Sequence, residues 1–253
     1  MKVAVFSSNI IDEDIDGNLQ RQQAILSSLE PETDLVVLPE MSSTGFITNT
    51  DFAQPMNGQT VSFWKRFAIQ KHTAVATSLF IKEKDNYFNR HFFFFPNGQY
   101  EYYDKHNLFS MSNEPEVITS GSKRKIVEYC GMRIALFTCY DLRFALWCAN
   151  SYSQDGGYAY DVAVFVASWP KTRVEAFSCL LKARAIENLA YVIGVNRLGQ
   201  DKRQNDYNGF ACVIDYKGLS LVQSQDKETI SYCTIDKPSL EAFRASLPVG
   251  RDW

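Results

Sequence analysis

Short apolar runs and longer amphipathic stretches alternate along the whole chain. Val3-Ala4-Val5-Phe6 predicts a strand over 2–7, and 16–29 carries its apolar residues at helical spacing up to Pro31. Residues 34–40 predict a buried strand that ends on Glu40. A helix is predicted over 57–71, with Phe63, Phe67 and Ile69 on or near one face, and a strand over 73–81. Residues 87–95 and 99–104 predict a hairpin across Pro96-Asn97-Gly98, and 125–129 and 132–139 a second pair joined through Gly131. Residues 140–147 predict a helix, because Leu142, Ala145, Leu146 and Ala149 recur at helical spacing. A buried strand over 161–167, a long helix over 173–189 and a strand over 191–196 follow. Stretches 209–215, 219–223 and 229–235 close the pattern as an antiparallel set. The alternation predicts mixed α/β structure in a single domain over 1–253, with a core of about 3–235 and a C-terminal tail over 236–253.

Composition narrows the function classes. Hydrophobic residues make up 45% of 253, enough for a sizeable core. The formal net charge is −3, and the basic clusters at 123–125 and 202–203 are too short to form a stripe. Neither nucleic acid nor a membrane surface is therefore an expected partner. No apolar run approaches the roughly 20 residues of a membrane span. The N-terminus turns polar directly after Phe6, so no leader peptide is expected. The six cysteines are scattered without a CxxC pair, which suits a reducing cytoplasm. No His/Cys cluster has ligand spacing and no Gly-rich phosphate loop occurs, so neither a metal nor a cofactor is expected.

The chemistry gathers at predicted strand ends, where open α/β sheets collect ligand sites. Glu40 follows Val36-Val37-Leu38-Pro39, Lys105 follows Tyr102-Tyr103-Asp104, and Cys139 follows Leu136-Phe137-Thr138. Singly, each has an ordinary reading: a solvated strand end, a turn lysine, a core thiol. Together they are complementary. A carboxylate can take the thiol proton, an ammonium can stabilise an oxyanion, and the resulting acid can protonate a departing amine. That set suffices to hydrolyse a carboxamide through a thioester. A Cys–His mechanism lacks a base: His91 lies in an apolar strand, His72 starts a surface strand, and His106 must face away from Lys105 on an extended segment. Cys148 reads as packing, which leaves a thiol redox protein without a resolving partner.

Leu38-Pro39-Glu40, Tyr103-Asp104-Lys105-His106-Asn107-Leu108-Phe109 and Cys139-Tyr140-Asp141-Leu142-Arg143-Phe144 resemble the nitrilase-like carbon–nitrogen hydrolase family. Gly45-Phe46, Ala183 to Asn188 and Val195 to Gly199 extend the resemblance from about Val3 to Ile235. It implies a four-layer α-β-β-α sandwich of two mixed sheets with outer helices, and a homodimer joined through helical layers near the elbow and the 173–189 helix. It implies Glu40 as base, Lys105 as oxyanion stabiliser, Cys139 as nucleophile, and Glu114 (or Glu116) as a further catalytic carboxylate. The Tyr140 amide would be a second oxyanion donor; Asn113 and Trp169 are candidates for the pocket wall. Asp141, Arg143 and the Arg184–Glu187 pair are expected to be structural, Arg143 by pairing with a nearby acid. Segments 108–114 and 167–170 are most similar to the ω-amidase branch, which implies small 2-oxo amides such as 2-oxoglutaramate and 2-oxosuccinamate. Two alternatives remain open: a related amidase acting on deaminated glutathione or an N-carbamoyl compound, and a non-catalytic scaffold on the same fold. Arg143, Lys171 and Arg173 are available for an anionic far end of the substrate.

Overall fold

The computed structural model describes residues 1–253. Its strands are β1 (Lys2–Phe6), β2 (Leu35–Val37), β3 (Gln54–Pro55), β4 (Ala74–Glu83), β5 (Asn86–Phe94), β6 (Tyr100–Asp104), β7 (Lys125–Tyr129), β8 (Met132–Thr138), β9 (Tyr152–Ser153), β10 (Gly157–Tyr158), β11 (Val162–Ala167), β12 (Tyr191–Asn196), β13 (Leu198–Gln200), β14 (Asp206–Asn208), β15 (Ala211–Ile214), β16 (Ser220–Ser224) and β17 (Ile230–Thr234). The helices are α1 (Ile15–Leu26), α2 (Gln59–Lys71), α3 (Glu114–Val117), α4 (Ala145–Cys148), α5 (Val174–Glu187) and α6 (Lys237–Ser246).

Two mixed sheets carry the fold. The first runs β17-β1-β2-β4-β5-β6 and the second β16-β15-β12-β11-β8-β7. Both are parallel at the centre, β1-β2-β4 in one and β8-β11-β12 in the other, and antiparallel at the flanks. Strand alternation sorts the side chains into three cores. Val3, Val5, Val37, Ala76 and Phe93 meet Ile134, Leu136, Val164, Val166 and Ile193 between the sheets. On the outer face of the first sheet, Phe6, Val36, Val75 and Phe92 pack against Leu19 of α1 and Trp64 and Phe67 of α2. On the outer face of the second, Phe137, Phe165 and Val192 pack against Phe177, Leu181 and Ala185 of α5. The layering is α-β-β-α, as the resemblance implied. Covering both faces explains why the central strands read as continuous apolar runs. Gly194 lets α5 sit close, since a Cβ there would lie 2.4 Å from a Leu181 methyl.

Three local expectations are corrected. Residues 140–147 do not form one helix: a 3-10 turn covers Cys139–Arg143, and a single α turn follows at Ala145–Cys148. Leu146, expected on the packed face, is 94% exposed. Phe144 adopts φ −105°, ψ 87° and interrupts the helix, while Asp141 spends its side chain on the strand end before it. The segment read as a tail contains α6, capped by Asp236 onto the Ser239 amide. Leu240 of α6 joins the inter-sheet core, and the Arg244 guanidinium is buried against Asp161 at 2.7 Å. On α2 the buried face is Val61, Trp64, Phe67 and Ala68, whereas Ile69 is exposed.

Candidate active site

The central parallel strands and β6 bring their carboxyl ends to one rim. The chain leaves β2 through Leu38, whose amide still bonds Ala76 O at 2.9 Å, and Pro39, and presents Glu40. Gly45 turns the following loop back at φ +75°, packed so closely on Asp12 that a Cβ would meet its Oδ1 at 2.1 Å. Lys105 lies directly after β6. Cys139 follows β8 with φ +47°, a left-handed conformation rare for a residue with a side chain, and one that costs about 1–2 kcal/mol.

Asp141 holds that elbow. Its Oδ2 accepts from the Thr138 amide (2.9 Å) and the Tyr103 hydroxyl (2.7 Å), and its Oδ1 from the Asn107 amide and side chain (2.9 Å each). Tyr103 accepts in turn from the His106 amide and Trp147 Nε1, at 3.0 Å each. One buried carboxylate therefore joins the cysteine elbow to the lysine loop. Burial pushes its carboxyl above the ordinary range although four donors oppose this. Cys148 is buried, its thiol donating to Asp141 O at 3.2 Å.

Glu40, Lys105 and Glu114 form a fully buried cluster. The Lys105 ammonium donates to Glu40 Oε1 at 3.0 Å and to both Glu114 oxygens at 2.9 Å, and lies 5.0 Å from the centre of the Phe46 ring. Burial alone would lower the lysine pKa, but the Glu114 and Glu40 charges overcome it and raise it. With two carboxylates against one ammonium, one acid is left short: burial and Glu40 push Glu114 up despite Lys105. Glu114 Oε2 also accepts from the Phe109 amide, at 2.6 Å. Glu40 Oε2 accepts from the Ser168 amide at 2.8 Å, and Oε1 from Asn89 Nδ2 at 2.7 Å. The Cys139 thiol is buried within the influence of Glu40, Lys105 and the Ser168 amide. Burial first, then the Glu40 charge, hold it well above the usual thiol range, against Lys105. The resting sulfur is therefore a protonated thiol near the Glu40 carboxylate.

Lys105 and Cys139 face a cavity of about 270 Å³, lined also by Phe46, Phe109, Met111, Ser112, Tyr140, Arg143, Ser168, Trp169, Pro170, Arg173, Asp201, Arg203, Asn205 and Tyr207. Tyr140 and Trp169, expected from sequence, are in the wall. Asn113 is not: it is exposed and precedes α3, and its neighbours Met111 and Ser112 face the cavity instead. Glu116 is exposed, whereas Glu114, two residues earlier on the same short helix, is buried. Arg143 makes no ion pair with an acid. It lies over the Trp169 ring at 4.8 Å and lines the cavity, as does Arg173, while Lys171 does not. Arg184 pairs with Glu187 at 2.6 Å and donates to Leu142 O at 2.7 Å, bracing the elbow. His106 stacks on Trp147 with ring centres 3.6 Å apart, and His91 is buried and pushed down to about 3 by burial.

Sequence reasoning passed over Asn89 and the wall formed by the β13–β14 hairpin. A signal existed for the first: Asn89, Arg90 and His91 interrupt an aromatic strand. The hairpin carried none, since its role follows from a distant anchor. Arg197 pairs with Asp12 at 2.9 Å, and Tyr207 donates to Asp201 at 2.9 Å, which swings Asp201, Arg203 and Asn205 over the cavity.

Comparison with known proteins agrees with this geometry. A carbon-nitrogen hydrolase family model matches residues 2–245. The chain is 32% identical to omega-amidase YafV of Yersinia enterocolitica, over 100% of this chain and 96% of that one. It is 28% identical to the 2-oxoglutaramate amidase of Bacillus subtilis, over 93% of this chain and 90% of that one. Among solved structures, XC1258 of Xanthomonas campestris, a CN-hydrolase superfamily protein with an arsenic adduct in its active site, superposes with a TM-score of 0.97 at 36% identity, over 100% of this chain and 97% of that one. With its model covering nearly the whole chain and the sheets layered to match, the protein belongs to the carbon-nitrogen hydrolase family.

Proposed function

We propose that this hydrolase is an ω-amidase, which converts the terminal carboxamide of a small 2-oxo acid amide, 2-oxoglutaramate or 2-oxosuccinamate, to carboxylate and ammonia. The observation that carries the reading is the buried Glu40–Lys105–Glu114 cluster beside Cys139, opening into a small cavity that carries Arg143, Arg173 and Arg203 against the single carboxylate of Asp201. The full-length similarity to proteins named omega-amidase and 2-oxoglutaramate amidase supports the same substrate class.

The reaction follows from the atoms present. Cys139 Sγ attacks the amide carbon while its proton passes to Glu40. The developing oxyanion meets a Lys105 N–H and the Tyr140 amide, one of the unpaired donors at the start of the 3-10 turn. Collapse expels ammonia with the proton held by Glu40 and leaves a thioester on Cys139. Glu40 then takes a proton from water as its oxygen attacks the thioester, and returns that proton to the Cys139 sulfur as the C–S bond breaks and the acid leaves. Glu114 keeps Lys105 ionised and aimed. Phe109, Met111 and Trp169 supply apolar walls, and the arginines meet the distal carboxylate.

Ammonia release from 2-oxoglutaramate, 2-oxosuccinamate, glutamine, deaminated glutathione, an N-carbamoyl amino acid and a nitrile tests the substrate. Turnover concentrated on the two 2-oxo amides is expected. Preference for another compound keeps the reaction type and overturns the substrate; silence across the panel favours a scaffold. Replacing either Arg173 or Arg203 singly by Met should raise KM for the 2-oxo amides about 10- to 100-fold with kcat little changed, because it removes a charge-assisted hydrogen bond of about 1.5–3 kcal/mol. An equal loss of kcat with KM unchanged would place these arginines elsewhere in the reaction.

The chain acts as a cytoplasmic homodimer in this proposal. All six cysteines are free, which suits a reducing compartment. No helix is long and apolar enough to cross a membrane. Phe144, Leu146 and Ile186 are exposed around the elbow and α5, an apolar face suited to a second copy. Sedimentation velocity checks it: a dimer that Leu146→Glu splits is expected, and a monomer for the unaltered chain at micromolar concentration overturns it.

A further inference from the structure

We propose that Asn89 is a positioning residue that holds Glu40 and Glu114 with one amide and steers the transferred proton onto Oε2 of Glu40. Asn89 lies on β5 and is fully buried. Its polar neighbours are engaged elsewhere. Arg90 pairs with Asp104 at 2.6 Å and Glu83 at 3.0 Å, and His91 Nδ1 bonds Phe137 O at 3.0 Å. Asn89 Nδ2 instead lies 2.7 Å from Glu40 Oε1 and 3.4 Å from Glu114 Oε1. The same two oxygens accept from Lys105 at 3.0 and 2.9 Å. Ammonium and amide thus face each other across a pair of carboxylate oxygens, one supplying charge and the other donors without charge. A second cation there would neutralise the site and weaken Glu40 as a base. An apolar side chain would leave both oxygens short of a donor.

The arrangement also makes the two Glu40 oxygens unequal. Oε1 accepts from both Asn89 and Lys105, which fills its two lone-pair directions. Oε2 accepts only from the Ser168 amide, at 2.8 Å, which leaves it a lone pair free to take a proton. Asn89 Oδ1 is buried without a partner. Turning the amide over would aim that oxygen at two carboxylates, so the residue is held for its donors at the expense of its acceptor.

The inference rests on Glu40 as the proton carrier. The test compares the unaltered protein with Asn89→Ala and Asn89→Ser by two readouts. One is kcat and KM against pH on the best amide of the panel. The other is the rate of iodoacetamide alkylation of Cys139 against pH, which needs no substrate. Asn89→Ala should lower kcat about 10- to 100-fold with KM nearly unchanged, the effect of losing hydrogen bonds to charged groups. Its acid limb should move to higher pH, because the lost donor favoured the ionised carboxylates. Alkylation near pH 7 should become faster, because the proton shared by Glu40 and Cys139 shifts from sulfur to the more basic carboxylate. Asn89→Ser keeps one hydroxyl donor and should fall between, and it serves if the alanine variant does not fold. A merely structural role would lower melting temperature, turnover and alkylation together without moving the limb. That outcome, or pH profiles unchanged in a folded variant, overturns the proposal. If the unaltered protein turns over none of the amides, the substrate reading fails, while the alkylation profiles still decide the role of Asn89.

Discussion

Cys139→Ala should abolish turnover, by at least ~10⁵-fold in kcat on the scale set by removing a hydrolase nucleophile, while leaving the melting temperature within a few degrees of the unaltered chain. The asymmetry has a structural reason. The elbow is held by Asp141 through Thr138, Tyr103 and Asn107, and none of these contacts passes through the sulfur. Burial and the Glu40 charge hold the thiol well above its usual pKa, so the resting sulfur is neutral and its removal leaves no buried charge without a partner. Ammonia release and a thermal melt on one preparation decide the matter. Turnover within about a hundredfold of the unaltered chain would falsify the assignment of Cys139 as nucleophile. Glu40→Gln separates nucleophilicity from proton transfer. It too should lose turnover, for want of a base and an acid, but Cys139 should be alkylated faster at neutral pH. The charge that holds the thiol up is gone and Lys105, which lowers it, remains.

Lys105→Met should be costly twice over. Removing an oxyanion donor lowers kcat by about 10²–10³, and releasing Glu40 and Glu114 from their shared ammonium adds to that. The stability loss comes from two buried carboxylates left without a counter-charge, about 3–5 kcal/mol for breaking a buried pair. For a chain of this size that is a fall of about 10 °C in melting temperature. The pH dependence gives the sign. In the unaltered protein the lysine pKa is raised on folding, so its contribution is present throughout the range below an unfolded lysine's pKa of about 10.4. In the methionine variant the Glu114 pKa, already raised by burial, loses the charge that lowered it and rises further. The folded state then binds a proton that the unfolded state, with a glutamate pKa of about 4.3, does not. The variant should therefore grow more stable as pH falls from about 8 towards 5, with part of the deficit recovered. Melting curves across that range check it; a deficit that stays constant or widens on acidification would show that the cluster is not the buried charge set described.

Much of this protein was legible in its chain. The apolar runs identified the central strands because a sheet covered on both faces must be apolar on both faces, and Val36-Val37 or Val162 to Ala167 admit little else. The strand ends at Glu40, Lys105 and Cys139 stood out because a charged or reactive residue directly after such a run lies at the sheet's rim. Periodicity was less informative where local bonds overrule it. The 139–148 segment has helical spacing, yet the Asp141 carboxylate and the Phe144 backbone break it into two turns, and Leu146 faces outward. The choice between Glu114 and Glu116 turned on a single helical turn, which the Phe109 amide and Lys105 settle in space.

What the sequence by itself determined was the chemistry available and the order of strands that carries it, because burial pattern and reactive groups are local properties of the chain. What only the tertiary structure decided was which groups share one charge and what surrounds them. Asn89, Ser168 and the Arg203 hairpin enter the site through contacts spanning tens to nearly two hundred residues, as in Ser168 to Glu40 across 128 positions or Arg197 to Asp12 across 185. No local period encodes such contacts. They exist because two sheets pack face to face and bring their rims to one place, where a buried ammonium must divide itself between two acids.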